Sequence, residues 1–117
     1  MLNEPPVDVL FDLPLLYATQ SIPSEETIIF LHFFLGRCDW YAAEFDGEDI
    51  FFGYACLGDP DMAEWGYFPL LELKSITIKA PVIDAQSGAL IGMLPAQVEW
   101  DEMWEPKPFS AIQISGR

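Results

Sequence analysis

Trp40-Tyr41-Ala42-Ala43-Glu44-Phe45, then Asp46-Gly47-Glu48-Asp49, then Ile50-Phe51-Phe52-Gly53-Tyr54-Ala55-Cys56-Leu57 is the stretch on which the fold turns. Both flanking runs are aromatic and rich in strand formers, and Asp-Gly between them is a strong hairpin signal, because glycine accepts the positive φ of a tight turn. Upstream, Thr27-Ile28-Ile29-Phe30-Leu31-His32-Phe33-Phe34-Leu35 is β-branched and aromatic at both alternating positions, the pattern of a central strand covered on both sides. Together the three segments predict an antiparallel meander.

Working outward, Pro5 to Pro14 places Val7, Leu10 and Phe11 at i, i+3 and i+4, which predicts a helix of about two turns. Thr19 to Glu26 is polar and broken by Pro23, and reads as a loop. Gly58-Asp59-Pro60-Asp61 is a turn, and Glu64-Trp65-Gly66-Tyr67-Phe68 a short aromatic strand. Pro69 then opens a second short helix, with Leu70, Leu73 and Lys74 on one face. From Ile76 to Trp100 the pattern is a second hairpin, extended over residues 77–97, with its tip at Asp84-Ala85-Gln86-Ser87-Gly88 and with Pro81 and Pro95 at an edge or a bulge. Glu105 to Ser110 is too proline-dense for regular structure, and Ala111 to Ile114 forms a last short element. The fold class is α+β: one domain over residues 1–117, a twisted, mainly antiparallel sheet of about five or six strands with two short helices.

The chain's 117 residues suit a single core, and its 51% hydrophobic content is too high for a disordered tail. The longest apolar run, Thr27 to Gly36, carries His32 and is far short of the ~18 residues of a membrane span. Met1-Leu2-Asn3-Glu4-Pro5-Pro6 has no positive leader region, so a cytoplasmic location is expected. Cys38 and Cys56 are too few for a disulfide scaffold, lack metal or redox spacing, and are expected as free thiols. A formal charge of −14 with no Lys/Arg cluster argues against direct contact with nucleic acid and makes a basic protein the natural partner.

Leu15-Leu16-Tyr17-Ala18-Thr19, the Trp40 to Gly47 run, Phe52-Gly53-Tyr54, Glu64 to Leu73, and Val98-Glu99-Trp100-Asp101 followed by Pro106 to Ser110 occur here in an order that resembles a known family. The resemblance, over roughly residues 13–110, is to the bacterial domain of unknown function twenty-nine fifty-eight. It implies a small single-domain protein of plasmids, phages and integrated elements, and implies no particular chemistry. Trp100 stands where that family often has an arginine, and Thr77 to Gln97 is longer than its usual connection.

Three acidic knots are candidate sites: Glu44, Asp46, Glu48 and Asp49; Asp59, Asp61 and Glu64; and Glu99, Asp101, Glu102 and Glu105. Asp59-x-Asp61-x-x-Glu64 supplies oxygen ligands but lacks the twelve-residue layout of a helix-loop-helix calcium loop, so turn carboxylates that keep the chain soluble are the simpler reading and no metal is expected. Glu44 and Glu64 lie inside aromatic segments and would form a general acid/base pair if the strands bring them together. His32, the only histidine, is a third catalytic candidate, although a lone histidine sharing an apolar face with Ile28, Phe30 and Phe34 is more often a hydrogen-bonded structural residue. No phosphate-cradling glycine loop or nucleophile signature is present, so no cofactor is expected.

The leading expectation is a non-enzymatic acidic protein-binding module of a mobile element. Glu48, Asp49, Asp59, Asp61, Trp65 and Tyr67 would form its binding surface, in a narrower form as a DNA mimic that antagonises a host nucleic-acid enzyme. The alternatives are a small carboxylate-based, metal-dependent or metal-free hydrolase, and a structural protein that forms a homodimer or larger homo-oligomer through an edge strand.

Overall fold

The computed structural model describes residues 1–112. Among them the chain runs α1 (Val7–Leu10), β1 (Ile28–Ile29), β2 (Leu31–Leu35), β3 (Cys38–Phe45), β4 (Ile50–Leu57), β5 (Glu64–Pro69), α2 (Leu70–Ser75), β6 (Thr77–Ile83), β7 (Leu90–Gln97), β8 (Glu99–Trp100) and β9 (Lys107–Pro108), with 3-10 turns at Ser24–Glu26, Pro60–Met62 and Phe109–Ala111. The architecture is α+β, built on a five-stranded antiparallel sheet in the order β5-β4-β3-β2-β8. Two-stranded pairs β1-β9 and β6-β7 flank it.

The meander forms as expected, with one correction. The run Thr27 to Leu35 is not one central strand, because the chain breaks at Phe30. Ile28 and Ile29 pair with Pro108 and Lys107, while Leu31 to Leu35 pair with β3 and briefly with β8. The middle strand is therefore β3. Phe30 shows why: it packs against the same cluster as Leu31, so the strict alternation that would put it beside His32 is lost. Ile28 is exposed as well, and of its three expected companions on that face His32 keeps Phe34.

One face of the sheet carries Leu31, Phe33, Trp40, Ala42, Phe45, Phe51 and Phe68, and both helices cover it through Leu10, Leu70 and Leu73. Phe33 and Phe51 have no exposed surface, and burial of each contributes about 2–3 kcal/mol. The first helix is shorter than expected. It makes a single turn, so Val9 and Leu10 face the core while Val7 and Phe11 stay exposed. The second face carries Ile29, Tyr41 and Ala43, covered by Tyr54, Trp65, Trp104, Phe109 and Ile112.

A bulge in β3 divides the faces. Ala42 pairs with Gly53 and Glu44 with Phe52, leaving Ala43 as the extra residue. Without it, Glu44 would follow Trp40 and Ala42 into the apolar core and Phe45 would leave it. With it, Phe45 joins the core and Glu44 turns to the second face. Gly53 is required opposite, since a Cβ there would stand 1.8 Å from the Tyr41 carbonyl oxygen.

At the sheet's other side, the Asn3 side chain acts as a strand residue: its Nδ2 donates to the Trp100 carbonyl and its Oδ1 accepts from the Trp100 N–H, both at 2.9 Å. Cys38 and Cys56 are free and offset by one register position, Cys38 opposite Leu57 and Cys56 opposite Asp39. No helix of the described residues is long and apolar enough to cross a membrane. Of the expected last element, Ala111 ends a 3-10 turn, and Gln113 and Ile114 lie outside the described residues.

Candidate functional site

The bulge presents Glu44 to the loop that precedes β1. Phe45 N–H donates to the Pro14 carbonyl at 2.9 Å and moors that loop to the sheet. The loop then wraps the carboxylate: Tyr17 N–H donates to Oε1 at 2.8 Å, Thr19 N–H to Oε2 at 2.9 Å, and the Thr19 hydroxyl also to Oε2. Tyr17 has φ 71°, the only positive value outside glycine among the described residues. Such a conformation costs on the order of 1 kcal/mol for a bulky residue and persists where its surroundings hold it. Here the hold is the carboxylate.

Glu44 is 3% exposed, and among the described residues no lysine or arginine pairs with it. Its hydrogen bonds come from neutral donors, so its negative charge is solvated but not cancelled. Around it lies a groove of about 360 Å³ walled by Tyr17, Phe52, Trp65 and Tyr67, with Gln20, Ile22 and Ser24 along the loop side. The aromatic walls come from register: Phe52 of β4 faces Glu44 on one side and Tyr67 on the other. Phe52 lies 5.8 Å from Trp65 and 5.1 Å from Tyr67, ring centre to ring centre. A hydrogen bond with Tyr17 raises the Tyr67 phenol above its ordinary value, and partial desolvation and the negative Glu44 push the same way. Tyr67 thus stays neutral across physiological pH.

Glu64 is elsewhere. It pairs with Ala55, which pairs with Trp40, so it belongs to the core face, beside Leu57 and Leu73, while Glu44 belongs to the other. The strands do not bring the two carboxylates together, and no acid/base pair forms between them.

His32 shares the face of Tyr41, on which it stacks at 4.8 Å, and it bridges two carboxylates. Its Nε2 meets Asp39 Oδ1 at 2.8 Å and its Nδ1 meets Asp101 Oδ2 at 2.9 Å. Ionised carboxylates only accept, so serving both at once takes a proton on each ring nitrogen. The Asp39-His32-Asp101 bridge ties β2 to β3 and to the segment after β8. With both ring nitrogens engaged, it reads as a clamp.

The four acidic surface residues do not make one patch. Glu48 and Asp49 sit at one end of β4 and Asp59 and Asp61 at the other, roughly 25 Å apart for an eight-residue strand. Two of them serve the fold: Asp49 Oδ1 accepts Leu71 N–H at 2.8 Å at the start of α2, and Asp59 Oδ1 accepts Asp61 N–H at 3.0 Å. Asp46 does the same for its turn, taking the N–H groups of Glu48, Asp49 and Ile50. Burial opposes its ionisation, but those three donors outweigh it and hold the carboxyl below its ordinary value. Among the described residues no three of His, Cys, Asp and Glu converge as metal ligands.

Trp65 and Tyr67, by contrast, meet at the groove with Glu44. Tyr17 and Thr19, which complete it with Phe52, entered the sequence reading only through the motifs of the family resemblance. Phe52 and Tyr67 share a face by strand alternation once the hairpin register is known, but nothing local announces that a loop some 25 residues upstream closes over Glu44.

Comparison of the chain with protein-family models, with curated proteins and with solved structures gives no match. The groove's chemistry is therefore read from its own residues.

Proposed function

We propose that the chain is a non-enzymatic protein-binding module whose groove takes a cationic side chain of a basic partner. The supporting observation is the buried Glu44 carboxylate, without a basic partner among the described residues, at the base of a groove walled by Tyr17, Phe52, Trp65 and Tyr67. Aromatic faces attract a guanidinium or ammonium by about 0.5–2 kcal/mol, and the uncancelled carboxylate adds a charge partner. A charge of −14 draws such a partner in from a distance. That charge is also what supports the narrower DNA-mimic form, although its surface pairs stand at opposite ends of β4. The free thiols suit a reducing compartment, and we place the activity in the cytoplasm on that ground.

The test is a titration of isotope-labelled protein with arginine- and lysine-containing peptides, reading amide shifts of Tyr17, Thr19 and Trp65. Saturable shifts there are expected, with Tyr67→Ala weakening binding about fivefold, as loss of one cation–π wall predicts. Glutamate-containing control peptides are expected to leave those amides still. Shifts scattered over the surface, or equal binding by Tyr67→Ala, would overturn the reading.

A further inference from the structure

Residues 77–97 leave the body as an arm. Among the described residues β6 and β7 pair with each other and with no third strand, and the molecule is 52 Å long against 29 and 23 Å across. A two-stranded hairpin is at best marginally stable alone in water, and this one is apolar on both sides. Register assigns Ile78, Ala80, Val82, Leu94 and Ala96 to one face and Pro81, Met93 and Pro95 to the other, where Lys79 stands opposite Pro95 and Thr77 opposite Gln97 at the base. The shift between Val82 and Ile83 leaves Ile91 as an extra residue in β7, which brings Ile83, Leu90 and Ile91 to the Met93 side.

We propose that this second face of the arm is a self-association surface, on which two copies of the chain pack about a two-fold axis. Area is the first argument. Ile78, Ile83, Leu90, Ile91, Met93 and Leu94 are each 47 to 67% exposed. Four of them, Ile83, Leu90, Ile91 and Met93, lie on the proposed face and present about 450 Å², a little over half of the roughly 800 Å² that each partner of a standard interface contributes. A patch of that size matches the largest apolar patch of a typical monomer, and such patches are often contact sites.

Charge identifies the occupant. Thr77 to Gln97 holds one lysine and one aspartate, Lys79 and Asp84, so the arm is formally neutral while the rest of the chain carries the whole −14. Two copies repel everywhere except along their arms. Arms laid antiparallel keep the bodies roughly 23 Å apart, close to three Debye lengths at physiological salt, where that repulsion is largely screened.

The prolines decide how the arms meet. A proline cannot stand where a ladder needs a donor, so the missing N–H of Pro81 falls on the outer edge of β6 and that of Pro95 on the outer edge of β7. Both edges are thereby blunted against strand addition. Face-to-face packing is left.

Sedimentation equilibrium of the full chain tests this. A concentration-dependent dimer is expected, stronger at physiological salt than at about 10 mM, where the Debye length of about 30 Å leaves the repulsion between bodies unscreened. Ile91→Glu with Met93→Glu is expected to weaken it at least tenfold with the circular dichroism spectrum retained, while Leu94→Glu on the opposite face leaves it in place. A wild-type chain that stays monomeric to about 100 µM at low and high salt would overturn the proposal, since a useful dimer forms well below that. So would a dimer that the double variant leaves intact.

Discussion

The Glu44 carboxylate holds the backbone N–H of Tyr17, 27 residues earlier in the chain, at 2.8 Å, and so fixes a bulky residue in the left-handed region. Glu44→Ala removes the acceptor of three donors at once. We expect a loss of about 2–4 kcal/mol in urea denaturation. Hydrogen exchange at the Tyr17 and Thr19 amides should accelerate far more than at the core of β3 and β4, since the loop is released while the sheet persists. Unchanged exchange at those two amides would contradict the assignment.

Gly53→Ala should be among the most damaging single changes in the chain. Its new Cβ meets backbone, the Tyr41 carbonyl, which has no rotamer to yield. We expect more than about 3 kcal/mol of destabilisation, against near neutrality for Gly66→Ala, where no neighbour lies within 4 Å. The denaturation midpoints of the pair give the comparison.

His32→Gln keeps one neutral donor but cannot serve both Asp39 and Asp101. Asp39 is buried, and losing the imidazole hydrogen bond to a buried carboxylate costs about 2 kcal/mol. The double variant His32→Gln with Asp39→Asn should recover part of that loss, a coupling that a double-mutant cycle measures.

Trp100→Phe should cost little. The indole Nε1 is buried and without a partner among the described residues, so the phenyl ring removes an unsatisfied donor along with some packing area. A change within about 1 kcal/mol of zero is expected from chemical denaturation.

Acid should loosen the β3–β4 turn through Asp46. Its carboxyl titrates below its ordinary value in the folded chain, so the ionised form contributes stability at neutral pH. That contribution is lost as pH falls through the folded-state value, below about 4. Asp46→Asn should therefore lose less stability than the wild type between pH 5 and pH 3, by about the share this group carries. Parallel acid-unfolding curves for the two would remove Asp46 from the account.

Much of the sheet could be read from local pattern, because alternation and the Asp-Gly turn are local signals: β4 occupies Ile50–Leu57 as the sequence suggests, and α2 begins after Pro69. The break at Phe30 could not be, since it arises where one apolar run is shared by two partners, β3 close by and β9 distant in the chain. The site was legible by halves. Trp65 and Tyr67 follow from strand alternation, but Glu44 reaches the groove through a bulge, and a one-residue insertion in a ladder leaves no mark on the bulged strand. The opposing Gly53 was the available clue. The carboxylate knots misled in the other direction, because Asp46, Asp49 and Asp59 look like surface charge and in fact terminate backbone donors.

The side chain of Asn3 pairs with Trp100 across 97 residues, and β2 finds its neighbour β8 only after the whole arm has been made. Closure of so remote a contact is entropically slow, and sheets dominated by such contacts fold in milliseconds to seconds. During synthesis the β3–β4–β5 hairpins can assemble as they leave the ribosome, whereas the outer edge of β2 waits bare until Glu99 and Trp100 emerge. For that interval the nascent chain exposes an unpaired strand carrying Phe33 and Phe34, and it is there that a holding chaperone has something to grip.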